Sequence, residues 1–207
     1  LRNIDLSLNY LSETIPLSLW DLLERQELMI SNNNVSGSIP TTLSNAKNLQ
    51  ELQVNTNQLS GLILKYELIQ ISLVGAIPNE ISNCSSLRNI DISLNSLSGT
   101  IPLFLGDLLE LLELMISNNN VSCSIPANLS NAKNLQKLQV NTNQHISLVG
   151  AIPNEIANCS SLRDIDLSLN SLSGTMPLSL GHLLELQELM ISNNNISDSI
   201  PTTLSNA

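Results

Sequence analysis

Apolar and polar residues alternate over Asn3-Ile-Asp-Leu-Ser7, with Ile4 and Leu6 on one side and Asn3, Asp5 and Ser7 on the other. A period of two marks a strand buried on one face only. The same alternation returns over 27–31, 51–55, 89–93, 113–117, 137–141, 164–168 and 188–192, so a short strand is expected at each. Two residues beyond every such segment stands an Asn: Asn9, Asn33, Asn57, Asn95, Asn119, Asn143, Asn170 and Asn194. An amide there is placed to bond the backbone of its own and neighbouring segments, as a ladder. A Gly follows at Gly37, Gly61, Gly75, Gly99, Gly150 and Gly174, where a tight turn needs its freedom. Pro16, Pro40, Pro102, Pro126, Pro177 and Pro201 come next. Pro suits the first position of a short helical turn, because the N–H it lacks has no partner there.

Whole strings recur as well as patterns. Leu1 to Asn9 returns as Leu87 to Asn95 and as Leu162 to Asn170, and Leu28 to Asn34 returns at Leu114 and Leu189. Leu52 to Gln58 returns at Leu138. All fit the template LxxLxLxxNxLxGxIPxxLxxLxx of about 24 residues, a period that implies stacked coils, each burying its apolar edge against the next. The register divides the chain into about eight coils: 1–24, 25–48, 49–86, 87–110, 111–134, 135–161, 162–185 and 186–207. Unit 49–86 is over-long, which predicts a bulge near 62–71; a ninth coil starting at Ile63 is the rival reading, although Ile71 stands where the ladder Asn belongs. Unit 135–161 carries His145 at a core position, and distortion is expected there too.

The element Gly-x-Ile-Pro, recurring in register, resembles the plant-specific variety of leucine-rich repeat across the whole chain. "GAIPNEI", "NCSSLR", "IDLSLNSLSGTMP" and "MISNNNVSGSIP" are similar to the ectodomains of plant leucine-rich-repeat receptor-like kinases, above all the subgroup that perceives root meristem growth factor peptides. The resemblance implies an α/β right-handed leucine-rich-repeat solenoid: one curved parallel sheet, with short helical turns on the convex side. It also implies a receptor at the extracellular face of the plasma membrane, whose concave face binds a short peptide or protein ligand and which recruits a co-receptor ectodomain. A signal peptide, a transmembrane helix and a Ser/Thr kinase would lie outside this chain, and no capping domain is recognisable in it. Two strings by which such receptors read a peptide, Arg-x-Arg for its carboxylate and Arg-x-Gly-Gly for a sulfated tyrosine, do not occur. A soluble extracellular inhibitor of a pathogen wall-degrading enzyme and a non-functional duplicated fragment stay open as other readings.

Charge and composition narrow the partners. The formal net charge is −10, from 18 acidic and 8 basic residues, which disfavours nucleic acid and anionic lipid. No apolar run approaches the roughly 18 residues of a membrane span. The outward strand positions nominate Arg88, Asp91, Ser93, Met115, Ser117, Lys137, Gln139, Asn141, Arg163 and Asp166 as ligand-binding residues. Leu8, Leu94 and Leu169, at the strand ends, are a further binding rim or a relic of the repeat. Asn-x-Ser sequons at Asn34, Asn83, Asn120, Asn128, Asn158 and Asn195 are candidate glycosylation sites, all expected on loops or the convex side.

The remaining chemistry is sparse. His145 and His182 lack ligand spacing, and the serines follow the repeat rather than any Ser/His/Asp arrangement, so no metal, cofactor or catalytic residue is nominated and no enzyme is expected. Cys84 and Cys159 share a template position three coils apart, about 14 Å at roughly 4.8 Å per coil. That exceeds disulfide reach. Together with Cys123, which replaces a turn glycine, they are expected to be buried free thiols.

Overall fold

A computed structural model describes residues 2–19, 26–57, 73–142 and 147–206. Its main element is an 8-stranded parallel sheet made of Asn3–Asp5, Glu27–Met29, Glu51–Gln53, Asn89–Asp91, Glu113–Met115, Lys137–Gln139, Asp164–Asp166 and Glu188–Met190, paired in that order. The strands are in register, with Ile4 beside Leu28, Leu28 beside Leu52 and so on to Leu189. Each begins where the alternation predicts and ends two residues early. The ladder nevertheless continues, since Leu6 N–H donates to Met29 O at 2.8 Å and Leu8 N–H to Ser31 O at 3.0 Å. Leu8 then turns to φ 55°, and Leu94, Asn118 and Leu169 do the same in their coils, which breaks the regular strand.

Beyond the asparagines run second short strands, paired in parallel into smaller sheets along the flank. The 3-10 turns Leu17–Leu19, Thr41–Asn45, Asn79–Asn83, Leu103–Asp107, Ala127–Asn131, Asn154–Asn158, Leu178–His182 and Thr202–Asn206 form the opposite wall. Each follows a proline, as the sequence predicts, with Pro78 and Pro153 added to the predicted set. The core is a column of Leu and Ile with Leu28, Leu52, Ile90 and Leu114 fully buried.

The asparagine ladder fastens coil to coil. Asn119 Nδ2 donates to Ile92 O of the preceding coil at 3.0 Å and to Ile116 O of its own at 2.9 Å, while its Oδ1 accepts from Leu97 N–H at 3.0 Å. Asn33, Asn57, Asn95, Asn170 and Asn194 repeat the arrangement. Each ladder amide thereby satisfies groups that no strand pairing reaches.

Residues 58–72 lie outside the described residues, and with them Gly61, Ile63, Ile71 and the predicted bulge; His145 and Asn143 do too. Across the first gap Glu51 pairs directly with Asn89, and Leu73 N–H donates to Asn95 Oδ1 at 3.2 Å. Across the second, Lys137 pairs with Asp164.

Two further glycines have a role that the template does not give. A Cβ on Gly106 would lie 1.9 Å from Asn128 O, and one on Gly181 2.1 Å from Thr203 O. The 3-10 turns of adjacent coils stack on each other at these points, and only Gly fits.

The candidate ligand-binding face

Two rows of side chains stand on the outward face of the large sheet, because strand residues two apart share a face. One row runs Glu27, Glu51, Asn89, Glu113, Lys137, Asp164; the other runs Met29, Gln53, Asp91, Met115, Gln139, Asp166. Most are half-buried, flanked by neighbours along the row. A third row, Ser31, Asn55, Ser93, Ser117, Asn141 and Ser168, follows after the ladder's last strand residue.

The nominated residues fall into two sets. Lys137 and Gln139 come together on Asp164: the ammonium lies 3.8 Å from Asp164 Oδ2, and Gln139 Nε2 donates to the same oxygen at 3.3 Å. Asp164, an outward strand position outside the nominated ten, organises this cluster. Its signal was the change from Asn89-Ile-Asp91 to Asp164-Ile-Asp166 between two otherwise matching repeats. Asp166 is buried and accepts from Ser168 N–H at 3.0 Å and Ser168 Oγ at 2.6 Å. Asp91 accepts from Ser93 N–H at 3.0 Å. Burial raises the Asp91 carboxyl above its ordinary value of 3.8, against the smaller lowering effects of the Ser93 bonds and the Lys137 charge. Ser117 is buried and donates through its hydroxyl to Asn141 Oδ1.

Arg88 and Arg163 stand one residue before their strands, outside these rows. Arg88 pairs with Glu110 at 3.3 Å and Arg163 with Glu185 at 3.6 Å, both exposed pairs reaching to the turn before the next strand. Their charge is therefore already matched, and the carboxylates of the outward rows dominate the face. Met115 stands beside Glu113 without a polar contact among the described residues.

Leu8, Leu94 and Leu169 border the strand ends and are exposed by 81%, 37% and 49%. The sequons divide differently from expectation. Asn83, Asn128 and Asn158 lie in the 3-10 turns and are exposed, on the convex side. Asn34, Asn120 and Asn195 lie not in loops but in the flanking strands Asn34–Ser36, Asn120–Ser122 and Asn195–Ser197. Asn34 and Asn120 are half-buried, because a further coil stacks beyond each.

Cys84 and Cys159 are buried free thiols, pushed up to about 12 and about 11 by burial. Cys123 is the exception and corrects the expectation: it is exposed, at φ 70°. The turn glycine it replaces sits at the flank of the coil, so the side chain has nowhere to go but outward. No described helix is long and apolar enough to cross a membrane.

In-register coils, the amide ladder and a sheet with one open face define a leucine-rich-repeat protein. The Leucine Rich Repeat family matches at residues 26–46, 86–108, 161–183 and 185–207. The repeats resemble those of plant receptor-kinase ectodomains. The ectodomain of the receptor kinase GASSHO1/SCHENGEN3 from Arabidopsis thaliana, solved with Casparian strip integrity factor 2, aligns over 94% of this chain at 33% identity and TM-score 0.84. That of the Arabidopsis receptor kinase HAESA, solved with an extended IDA peptide hormone, aligns over 97% at 36% identity and TM-score 0.84. The plant peptide hormone receptor RGFR1, in complex with RGF2, aligns over 95% at 35% identity and TM-score 0.72. The chain spans only 21%, 31% and 33% of those three proteins' solved chains. No curated protein sequence matches it.

Proposed function

We propose that this chain is the ligand-binding stretch of a plant cell-surface receptor kinase, and that it presents its sheet face to a short secreted peptide. The observation that carries the reading is the open face of the 8-stranded sheet, in a fold shared with receptors solved bound to peptide hormones. Eight strands at about 4.8 Å spacing give roughly 34 Å of track. An extended chain covers about 3.3–3.6 Å per residue, so about ten residues fit. The coils run as divided in the sequence, with 49–86 as one unit; the direct pairing of Glu51 with Asn89 supports it. A co-receptor ectodomain is the second partner, the location is the extracellular face of the plasma membrane, and the chain itself catalyses nothing. The sequons are glycosylation sites, with Asn83, Asn128 and Asn158 the best placed because they are exposed on the convex turns.

Peptide titration tests this. Unsulfated ten-residue growth-factor-type peptides are expected to bind and to perturb Asp91, Met115 and Gln139 in an NMR spectrum. Their tyrosine-sulfated forms are expected to bind no tighter, because Arg88, Lys137 and Arg163 are each matched by a carboxylate. A sulfate-dependent gain in affinity would falsify the second expectation, and perturbation confined to the convex turns would overturn the first.

A further inference from the structure

The sequence Glu-Leu-Met-Ile-Ser occurs at 27–31, 113–117 and 188–192, and each copy forms a strand of the large sheet. Its central Leu faces the core, so Glu and Met stand side by side on the open face. Glu27 with Met29, Glu113 with Met115, and Glu188 with Met190 are three equivalent stations. Each is three strand steps from the next in the sheet order, about 14 Å at roughly 4.8 Å per step. The intervening strands carry Gln53, Asp91, Gln139 and Asp166 where these carry Met. Polar groups separate the thioethers, and no continuous apolar groove exists among them.

A carboxylate beside an uncharged, polarisable thioether matches one kind of side chain: a long alkyl stem ending in a cation. The stem lies on the sulfur and methylenes of Met while the charged head reaches the carboxylate. An extended peptide advances about 14 Å in four residues. We propose that the open face reads a peptide bearing Lys or Arg at every fourth position, one at each Glu–Met station. The proposal rests on the peptide-binding reading above and narrows it to a basic ligand of stated spacing.

The surroundings rank the stations. Glu27 lies beside Glu51 in the adjacent strand, in a doubled negative field, whereas Glu188 lies beside Asp164, whose charge Lys137 partly offsets. Glu113 lies beside Lys137. That ammonium is turned toward Asp164, yet its charge still weakens the middle station. The outer two therefore bind more strongly than the middle one.

The test uses the full chain and four synthetic twelve-residue probes built on a Ser/Thr background. The first has Lys at positions 2, 6 and 10; the second has the same lysines at 2, 3 and 4. The third replaces each spaced Lys by diaminopropionate, which keeps the charge and removes the stem, and the fourth is neutral. By calorimetry the spaced probe is expected to bind about tenfold tighter than the clustered one and several-fold tighter than the short-stem one, in line with a few exposed ion pairs acting together. Glu27→Gln and Glu188→Gln are each expected to cost about threefold, and Glu113→Gln less. Equal affinity for spaced and clustered probes, or indifference to all three substitutions, overturns the stations. If the neutral probe then still binds and perturbs the open face, the broader reading stands without them. If no probe or growth-factor-type peptide perturbs that face, both fall.

Discussion

The string Leu-Arg-Asn-Ile-Asp is present near the start of the chain and again in its middle, and the two copies do not have the same physics. Ile90 is fully buried between two coils, whereas Ile4, in the first described strand, is half-buried against the coil that follows. Asn95 donates to Val54 O of the preceding coil, to Ile92 O and to Ser93 O, and accepts from Leu73 N–H. Among the described residues, Asn9 donates only to Leu6 O and Ser7 O of its own coil. In a solenoid, a residue's energetic worth is set by the coils stacked against it as much as by its own coil. Local sequence specifies the shape of a coil; its neighbours supply the stability.

The largest effect expected from this contrast is at the ladder. Asn95→Ala strips partners from Leu73 N–H and from buried carbonyls, each costing about 1–3 kcal/mol, and a total near 3 kcal/mol is expected. Asn9→Ala removes exposed contacts and should cost less than about 0.5 kcal/mol. Urea denaturation of the two variants measures the difference. Similar midpoints would mean that the ladder is decorative and that apolar stacking alone joins the coils.

Much of this contrast is legible in the sequence, though not all of it. The alternation around Ile4 and Ile90 locates both strands, and the recurring Asn locates the ladder, because each reports an environment common to every coil. The departures arise where one coil meets the next. Strands end early because the residue at Leu94 and its equivalents takes a left-handed conformation, which a period of two cannot signal. Arg88 reads as a ligand contact but finds Glu110 in the turn that leads to the next strand, a pairing set by how the coil closes rather than by spacing along one strand. Gly106 looks like a surface glycine until Asn128 O closes on it. Cys123 reads as interior on chemical type alone, whereas its template position, a flank turn, points outward.

A second, smaller test exploits the turn that the copies do not share. The first coil has Glu13 at φ 71° where the middle copy has Gly99 at φ 80°. A side chain in this region is strained by about 1–2 kcal/mol, partly offset because Gly also gains entropy when unfolded. Glu13→Gly should therefore stabilise by about 0.5–1 kcal/mol, and Gly99→Ala should destabilise by a similar amount. The added Cβ at Gly99 would meet Ala76 Cβ at an ordinary 3.5 Å, so sterics do not confuse the comparison. Thermal melts in which Gly99→Ala is neutral would show that the turn conformation, not the residue, adapts.

The smallest effect is read as a sign rather than a size. Asp5 and Asp91 each accept from the N–H two residues on, at 2.9 and 3.0 Å, in the same Asp-x-Ser turn. In the exposed first copy the Ser7 backbone and side-chain bonds dominate and hold the Asp5 carboxyl below 3.8. In the middle copy desolvation dominates and raises the Asp91 carboxyl above 3.8. Linkage turns these into opposite slopes. Asp5, with a depressed folded-state value, contributes stability above 3.8 that is lost as pH falls through that lower value. Asp91, with a raised value, costs stability once ionised, and the cost is relieved as pH falls through the raised value toward 3.8. Asp91→Asn keeps an acceptor for Ser93 N–H and removes the charge, so it should stabilise the chain at neutral pH and lose that advantage in acid. Asp5→Asn should do the reverse. Carboxyl chemical shifts followed by NMR from neutral pH into acid should show Asp91 protonating first. If Asp5 protonates first, or if the two titrate together, then depth within the stack does not override the local turn.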